Sequence, residues 1–130
     1  MLPSRPIMTF VWHFTCWIIL AAAPAWAQVR ISPEEALAHV GESATVCGTV
    51  ASARYAAKSK GAPTFLNLGK PCPQHVFTTI IWGRRRSQFS YKLEELQGRH
   101  VCITGTVKVH NNIAEIEVSN PAQIEAIPVQ

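Results

Sequence analysis

The segment TIIWGRRRSQF, residues 79–89, places three arginines directly after a tryptophan and a glycine. Guanidinium and ammonium groups bind phosphate oxygens, and an aromatic ring offers a face on which a nucleobase can stack. Other basic, aromatic and amide side chains suited to such contacts lie along the chain. The candidate ligand-binding residues are Arg54, Tyr55, Lys58, Lys60, Asn67, Trp82, Arg84, Arg85, Arg86 and Lys108. This set is suited to hold an extended polyanion such as single-stranded DNA or RNA.

The arginine triplet has a second interpretation, as a solvated turn that leads into a helix. Three cations before a helix N-terminus oppose the helix dipole by roughly a few tenths of a kcal/mol. That unfavourable placement hints at a binding role for Arg84–Arg86, although exposed charges are tolerated there without one. The sequence leaves both interpretations open.

Side chains for catalysis are scarce. The chain contains no aspartate, which many hydrolytic and phosphoryl-transfer sites use to hold Mg²⁺ or to orient a base. The histidines show no metal-ligand spacing, and only His100 and Cys102 would share one face of a strand. A G-x-S-x-G motif and a Ser–His–acid pattern are both missing. The sequence therefore predicts a non-enzymatic protein without a cofactor or a metal.

Hydrophobic periodicity predicts two helices and five strands. The stretch ISPEEALAHVG reads as a short N-terminal helix with a capping box from Ser32 to Glu35 and a closing Gly41. A second helix is predicted at 88–98, between the third and fourth strands. Alternating apolar residues predict the strands at 43–55, 63–69, 75–82, 99–109 and 113–119. This order matches an all-β architecture, the five-stranded, partly open Greek-key barrel called the OB-fold.

Over residues 43–120 the chain resembles OB-fold nucleic-acid-binding domains of the anticodon-binding type. The matching residues are Gly48 and Val50, Phe65 and Leu68, the run 76–82, and Gly98, Val101, Ile103, Gly105 and Val107. The chain departs from that family after the second strand, where GKPCPQ replaces a polar R-D-x-x-G. Its layout also resembles that of small exported bacterial OB-fold proteins, for which nucleic-acid binding is not the expected role.

An OB-fold binds oligonucleotides across its second and third strands and the loops after its first and fourth strands. The candidate residues fall at those places, with Lys108, His110 and the asparagines 111–112 marking the last loop. Phe65 and Phe77 are interpreted as core residues in preference to stacking platforms, because a small barrel needs large side chains inside. Trp82, at a strand end, could serve either role.

The first and fourth strands of such a barrel are antiparallel neighbours, and they carry Cys47 and Cys102. A disulfide between these two cysteines is geometrically possible, and an oxidising compartment would favour it. Two small thiols that pack as apolar groups are the alternative. Cys72, between two prolines, is expected to be the cysteine left over.

Residues 1–27 are predicted to be a signal peptide. Arg5 supplies the positive start, FVWHFTCWIIL the apolar core, and AWA a small-x-small site cleaved after Ala27. A retained N-terminal anchor is the alternative. Residues 28–130 would then form a single periplasmic or secreted domain without a further membrane span. Removing Arg5 from the twelve Lys and Arg leaves eleven against eight Glu, a balance that permits a polyanion partner without requiring one.

Two functions from different classes follow. The first is a binding module for single-stranded nucleic acid or another polyanion, with salt-dependent affinity. The alternative is an envelope protein-interaction or stress-response module that uses the barrel as a scaffold and binds a protein partner.

Overall fold

Eight strands carry the fold in the computed structural model, which describes residues 2–6 and 29–128. They form one mixed sheet in the order β6–β7–β4–β3–β2–β5–β8, with β1 beside β2. The pairs β1–β2 and β4–β7 are parallel, and the other pairs are antiparallel. The strands are β1 Arg30–Ile31, β2 Ser43–Tyr55, β3 Thr64–Leu68, β4 Phe77–Ile81, β5 His100–Thr106, β6 Lys108–His110, β7 Ile113–Glu117 and β8 Ile124–Ala126.

The predicted all-β class is confirmed, but the predicted number of five strands is wrong. The strands β1 and β8 have two and three residues, too few to give an alternation pattern in the sequence. The predicted fourth strand is divided at Val107, whose N–H donates to the Glu42 carbonyl and whose carbonyl accepts from the Gly41 N–H. The order of paired strands is open and ends at β6 and β8, so this pairing does not itself show a closed barrel.

The two predicted helices take other forms. The N-terminal one is a 3₁₀ helix at Pro33–His39, and Ser32 donates to the Glu35 carboxylate instead of capping a backbone N–H. The helix predicted at 88–98 is wrong, since two 3₁₀ segments, Gly83–Gln88 and Leu93–Leu96, stand there. Phe89 lies between them in an extended conformation and is buried together with the two leucines that bound the second segment. A break at Phe89 thus lets all three apolar side chains reach the core.

The core lies on one face of the paired strands. Period-two alternation buries Val46 and Val50 on β2, and it turns Cys47 and Thr49 outward. Gly48 is required where the Pro33–His39 helix packs on β2, because a Cβ there would lie 2.7 Å from Pro33 Cγ. The largest fully buried side chains are Phe77, Leu66, Leu68, Ile81, Leu93, Ile103, Ile116, Val46, Val50, Val101, Val107 and Val118.

A disulfide joins Cys47 on β2 to Cys102 on β5, which confirms the prediction. The two residues are directly opposite in the β2–β5 register, with a Cα–Cα distance of 4.0 Å. Their 55-residue separation gives an entropic stabilisation of about 4 kcal/mol in the chain-entropy treatment. Cys72 is free and exposed, as expected from its position between two prolines.

The predicted signal peptide falls almost wholly on residue 1 and residues 7–28, which lie outside the described residues. Cleavage after Ala27 therefore stays a prediction. Among residues 2–6 and 29–128, no helix has the length and apolar character needed to cross a bilayer.

Candidate nucleic-acid interface

An open groove of about 730 Å³ lies on the outward face of β2, β3, β4 and β7. The strands that form its floor turn their other face to the core. Successive side chains of β3 and β4 therefore point alternately into the core and into the groove. The groove is lined by Ser52, Arg54, Phe65, Asn67, Cys72, His75, Thr78, Ile80, Trp82, His110, Asn111, Ile113 and Glu115.

A polar row crosses four strands on the groove floor. In the strand register Ser52 faces Asn67, Asn67 faces Thr78, and Thr78 faces Glu115. Asn67 Nδ2 donates to Ser52 Oγ at 2.9 Å, and Thr78 Oγ1 donates to Asn67 Oδ1 at 2.8 Å. These bonds fix the Asn67 amide, which is buried. Because a primary amide carries two N–H groups, one remains beyond the bond to Ser52 for a ligand.

A second row, in which Phe65 and Ile80 are apolar and Arg54 is charged, runs beside the polar one. Arg54, Phe65 and Ile80 face one another across β2, β3 and β4, and Trp82 follows two residues after Ile80. Phe65 and Trp82 are half-buried and line the groove. The interpretation of Phe65 as a core residue is therefore wrong, whereas Phe77 is fully buried as expected. Two aromatic rings in an open groove provide surfaces on which bases can stack.

The basic loop after β2 packs against Trp82. Gly61 has a φ of +76°, and a Cβ on it would lie 2.9 Å from Cε3 of the indole. The Gly83 N–H also donates to the Gly61 carbonyl at 2.9 Å, which ties the loop to the end of β4. Lys58 and Lys60 are exposed in this loop, so the contact at Gly61 places a loop with two lysines beside Trp82.

Arg86 makes contacts within the protein. Its guanidinium carbon lies 3.7 Å from the centroid of the Tyr55 ring, and its Nη2 lies 2.8 Å from Glu94 Oε1. Its Nη1 also donates to Thr64 Oγ1. The arginine thus covers one face of Tyr55 and joins β2, β3 and the Leu93–Leu96 segment. We call Tyr55, Thr64, Arg86 and Glu94 the Arg86 cluster.

The other predicted cations lie outside the groove lining. Arg84 is exposed and Arg85 is half-buried, both within the Gly83–Gln88 segment, so the argument from a helix dipole does not apply to them. Lys108 forms an ion pair with Glu117 at 3.8 Å and borders a separate shallow cleft. Of the ten candidate residues, Arg54, Asn67 and Trp82 come together in the groove.

Several groove residues were not among the candidates. Thr78 and Ile80 could have been predicted as groove residues from the alternation along β4, because they lie between the buried Phe77, Thr79 and Ile81. Cys72 and His75 come from the turn before β4. His110, the last residue of β6, and Asn111 after it also line the groove, and the sequence predicts both in the last binding loop. Glu115 enters through the parallel pairing of β4 with β7, which no local pattern indicates.

The groove carries charges of both signs. Arg54 suits a phosphate, whereas the Glu115 carboxylate would repel one and suits the N–H groups on a base edge. In the described part of the chain, no group of three or more His, Cys or Glu side chains could hold a metal ion.

No protein-family model matches the chain, and no curated protein matches it. Among the solved structures that show a similarity to it are two aspartyl-tRNA synthetase chains. A chain described as an aspartyl-tRNA synthetase from Leishmania major Friedlin is 15% identical with a TM-score of 0.47, and the match covers 81% of this chain and 22% of that one. The aspartyl-tRNA synthetase from Entamoeba histolytica is 19% identical with a TM-score of 0.47, over 81% and 23% of the two chains. The chain therefore spans less than a quarter of each, and similarity at this level carries no argument about function.

Proposed function

We propose that this chain is an exported, non-enzymatic OB-type module that binds single-stranded nucleic acid in the groove across β3 and β4. The observation that carries the proposal is one open groove that holds Phe65, Trp82, Arg54 and the Asn67 amide, beside a loop with two lysines. Stacking surfaces next to cations are what single strands require.

The strand pairing supports an OB-type arrangement. The strands β2, β3 and β4 form an antiparallel meander, and β7 joins β4 in parallel. The run 100–110 pairs with β2 through β5 and with β7 through β6. In an OB-fold, the corresponding groove and loops bind oligonucleotides.

Base stacking and phosphate contacts would both contribute to the binding free energy. Bases stack on Phe65 and Trp82, and the phosphates between them meet Arg54, Lys58 and Lys60. With about three phosphate contacts, a single strand gives a log–log salt slope near −2, or a roughly 20-fold loss of affinity between 50 and 200 mM salt.

The proposal is tested by fluorescence anisotropy of a labelled single-stranded oligonucleotide. Trp82→Ala should weaken binding roughly five- to a hundredfold through the loss of one stacked base, and Trp82→Phe should retain part of it. The matched control is Lys92→Ala, which removes an exposed cation in the segment before Leu93–Leu96, outside the groove. Equal affinity of the Trp82→Ala variant and the unchanged protein would refute the proposed interface.

A protein-interaction module is the second candidate. Its supporting observation is the apolar part of the groove, where Phe65, Ile80, Trp82 and Ile113 accompany the carboxylate of Glu115. This alternative predicts no salt-sensitive oligonucleotide binding, together with a protein partner whose capture is lost in the Trp82→Ala variant.

Export after cleavage at Ala27 is part of the proposal. It rests on the charge and apolar pattern of residues 1–27. N-terminal sequencing of protein recovered from an extracytoplasmic fraction should begin at Gln28, and a retained Met1 would contradict it.

A further inference from the structure

The Cys47–Cys102 disulfide lies on the outward face of β2 and β5, away from the groove. Polar side chains surround it in the cross-strand register, with Thr45 opposite Thr104 and Thr49 opposite His100. Cys47 is half-buried, whereas Cys102 is only 2% exposed. Cys47 is therefore the more accessible residue of the pair, and we expect a thiol from outside to attack its sulfur.

A cleft of about 370 Å³ opens over this disulfide. It is lined by Arg30, Ile31, Ser32, Cys47, His100, Cys102 and Ile127. The strand β1, which pairs in parallel with β2, brings Arg30 to the cleft, and its Nη1 lies 3.8 Å from Cys102 Sγ. A guanidinium at that distance stabilises a thiolate on Cys102, the less accessible residue of the pair.

We propose that Cys47–Cys102 is a thiol–disulfide exchange site for a dithiol. A thiolate of the dithiol attacks Cys47 Sγ and forms a mixed disulfide, and the S–S electron pair leaves with Cys102 Sγ as a thiolate beside Arg30. The second thiol of the dithiol loses its proton and displaces Cys47, so the dithiol is oxidised to a disulfide. The two protons that the dithiol releases balance those taken up by the two cysteine thiolates.

The charges near Cys102 predict how substitutions should change the exchange rate. Glu125 on β8 is opposite Cys102 in the register, and its carboxylate lies 4.0 Å from Arg30 Nη2. A negative charge there disfavours the departing thiolate, whereas Arg30 favours it. Arg30 and Glu125 should therefore act on the exchange rate in opposite directions, because a leaving thiolate departs faster when it is stabilised.

The test is the rate at which dithiothreitol reduces the folded protein. Every cysteine outside the disulfide is first blocked with N-ethylmaleimide, and newly freed thiols are trapped with iodoacetamide and counted by intact mass. Arg30→Ala should slow reduction about three- to tenfold, a modest effect because the side chain of Arg30 is 63% exposed. Arg30→Lys should stay within about twofold of the unchanged protein, and Glu125→Gln should be reduced faster.

The controls separate an effect at the site from a general one. Lys92→Ala removes one exposed positive charge that does not line the cleft and should leave the rate unchanged. Thermal unfolding of each variant shows whether the fold is intact. Reduction of Arg30→Ala at the unchanged rate would overturn the proposal, as would a disulfide that dithiothreitol reaches only in denaturant.

Discussion

The Arg86 side chain shows how contacts decide the role of a residue within a charged run. Arg84, Arg85 and Arg86 are equivalent in the sequence, yet Arg86 lies on the Tyr55 ring and pairs with Glu94, whereas Arg84 is exposed. Removal of Arg86 is therefore expected to lower stability, whereas removal of Arg84 is not. Sequence alone could not distinguish the three arginines. Tyr55 lies far from Arg86 in the chain, and Glu94 lies on a different segment.

Arg86→Ala should lower the free energy of unfolding by about 1–2 kcal/mol. The change removes a cation–π contact, a partly buried ion pair and the hydrogen bond to Thr64. Urea unfolding followed by circular dichroism measures this loss. Arg84→Ala is the matched control and should stay within about 0.5 kcal/mol of the unchanged protein. Equal stability of the two variants would show that the Arg86 cluster contributes nothing.

Gly61→Ala should weaken oligonucleotide binding as well as stability. Its φ of +76° is strained for alanine, and the added Cβ would lie 2.9 Å from the Trp82 ring. We expect a cost of about 1 kcal/mol or more in stability, with a shift in tryptophan emission as the indole moves. Gly98→Ala is the control, since Gly98 also has a positive φ but has open space around its Cβ position. Unchanged affinity and emission in Gly61→Ala would mean that the loop does not position Trp82.

Local patterns predicted some elements well and others poorly. The strand predicted at 43–55 has those bounds in the structure, although its alternation shifts at a bulge between Val50 and Ser52 that no local pattern indicates. The predicted helix at 88–98 failed because helical spacing of Phe89, Leu93 and Leu96 is also met by two short turns with a break between them. Among the groove residues, Asn67 was a candidate from the sequence, whereas Glu115 was not, because no local pattern indicates the parallel pairing of β7 with β4.

The β2–β5 pair should depend on its disulfide. Replacing Cys47 and Cys102 together by alanine removes a crosslink between residues 55 apart and should lower the free energy of unfolding by about 2–4 kcal/mol. Denaturant unfolding of oxidised protein and of the double variant gives the difference. The β2–β5 hydrogen bonds remain, so the variant should still fold. A midpoint equal to that of the oxidised protein would contradict the stabilising role.

At the scale of the whole molecule, the fold places two clefts on different parts of the outward face of the sheet. The groove lies over β3 and β4 with contributions from β2 and β7, and the disulfide cleft lies over β2 and β5 beside β1. The long strand β2 contributes to both, with Cys47 near its start and Arg54 near its end. Binding in the groove and exchange at the disulfide can therefore be tested independently, since no lining residue is shared between them.

The central claim is that the groove binds single-stranded nucleic acid through stacking and phosphate contacts. The most direct measurement is the affinity of a labelled single-stranded oligonucleotide at 50 and 200 mM salt, for the unchanged protein and for Trp82→Ala. The account predicts a roughly 20-fold loss with salt in the unchanged protein and much weaker binding by the variant at both salts. Flat titrations at both salt concentrations, or a variant that binds as tightly as the unchanged protein, would contradict it.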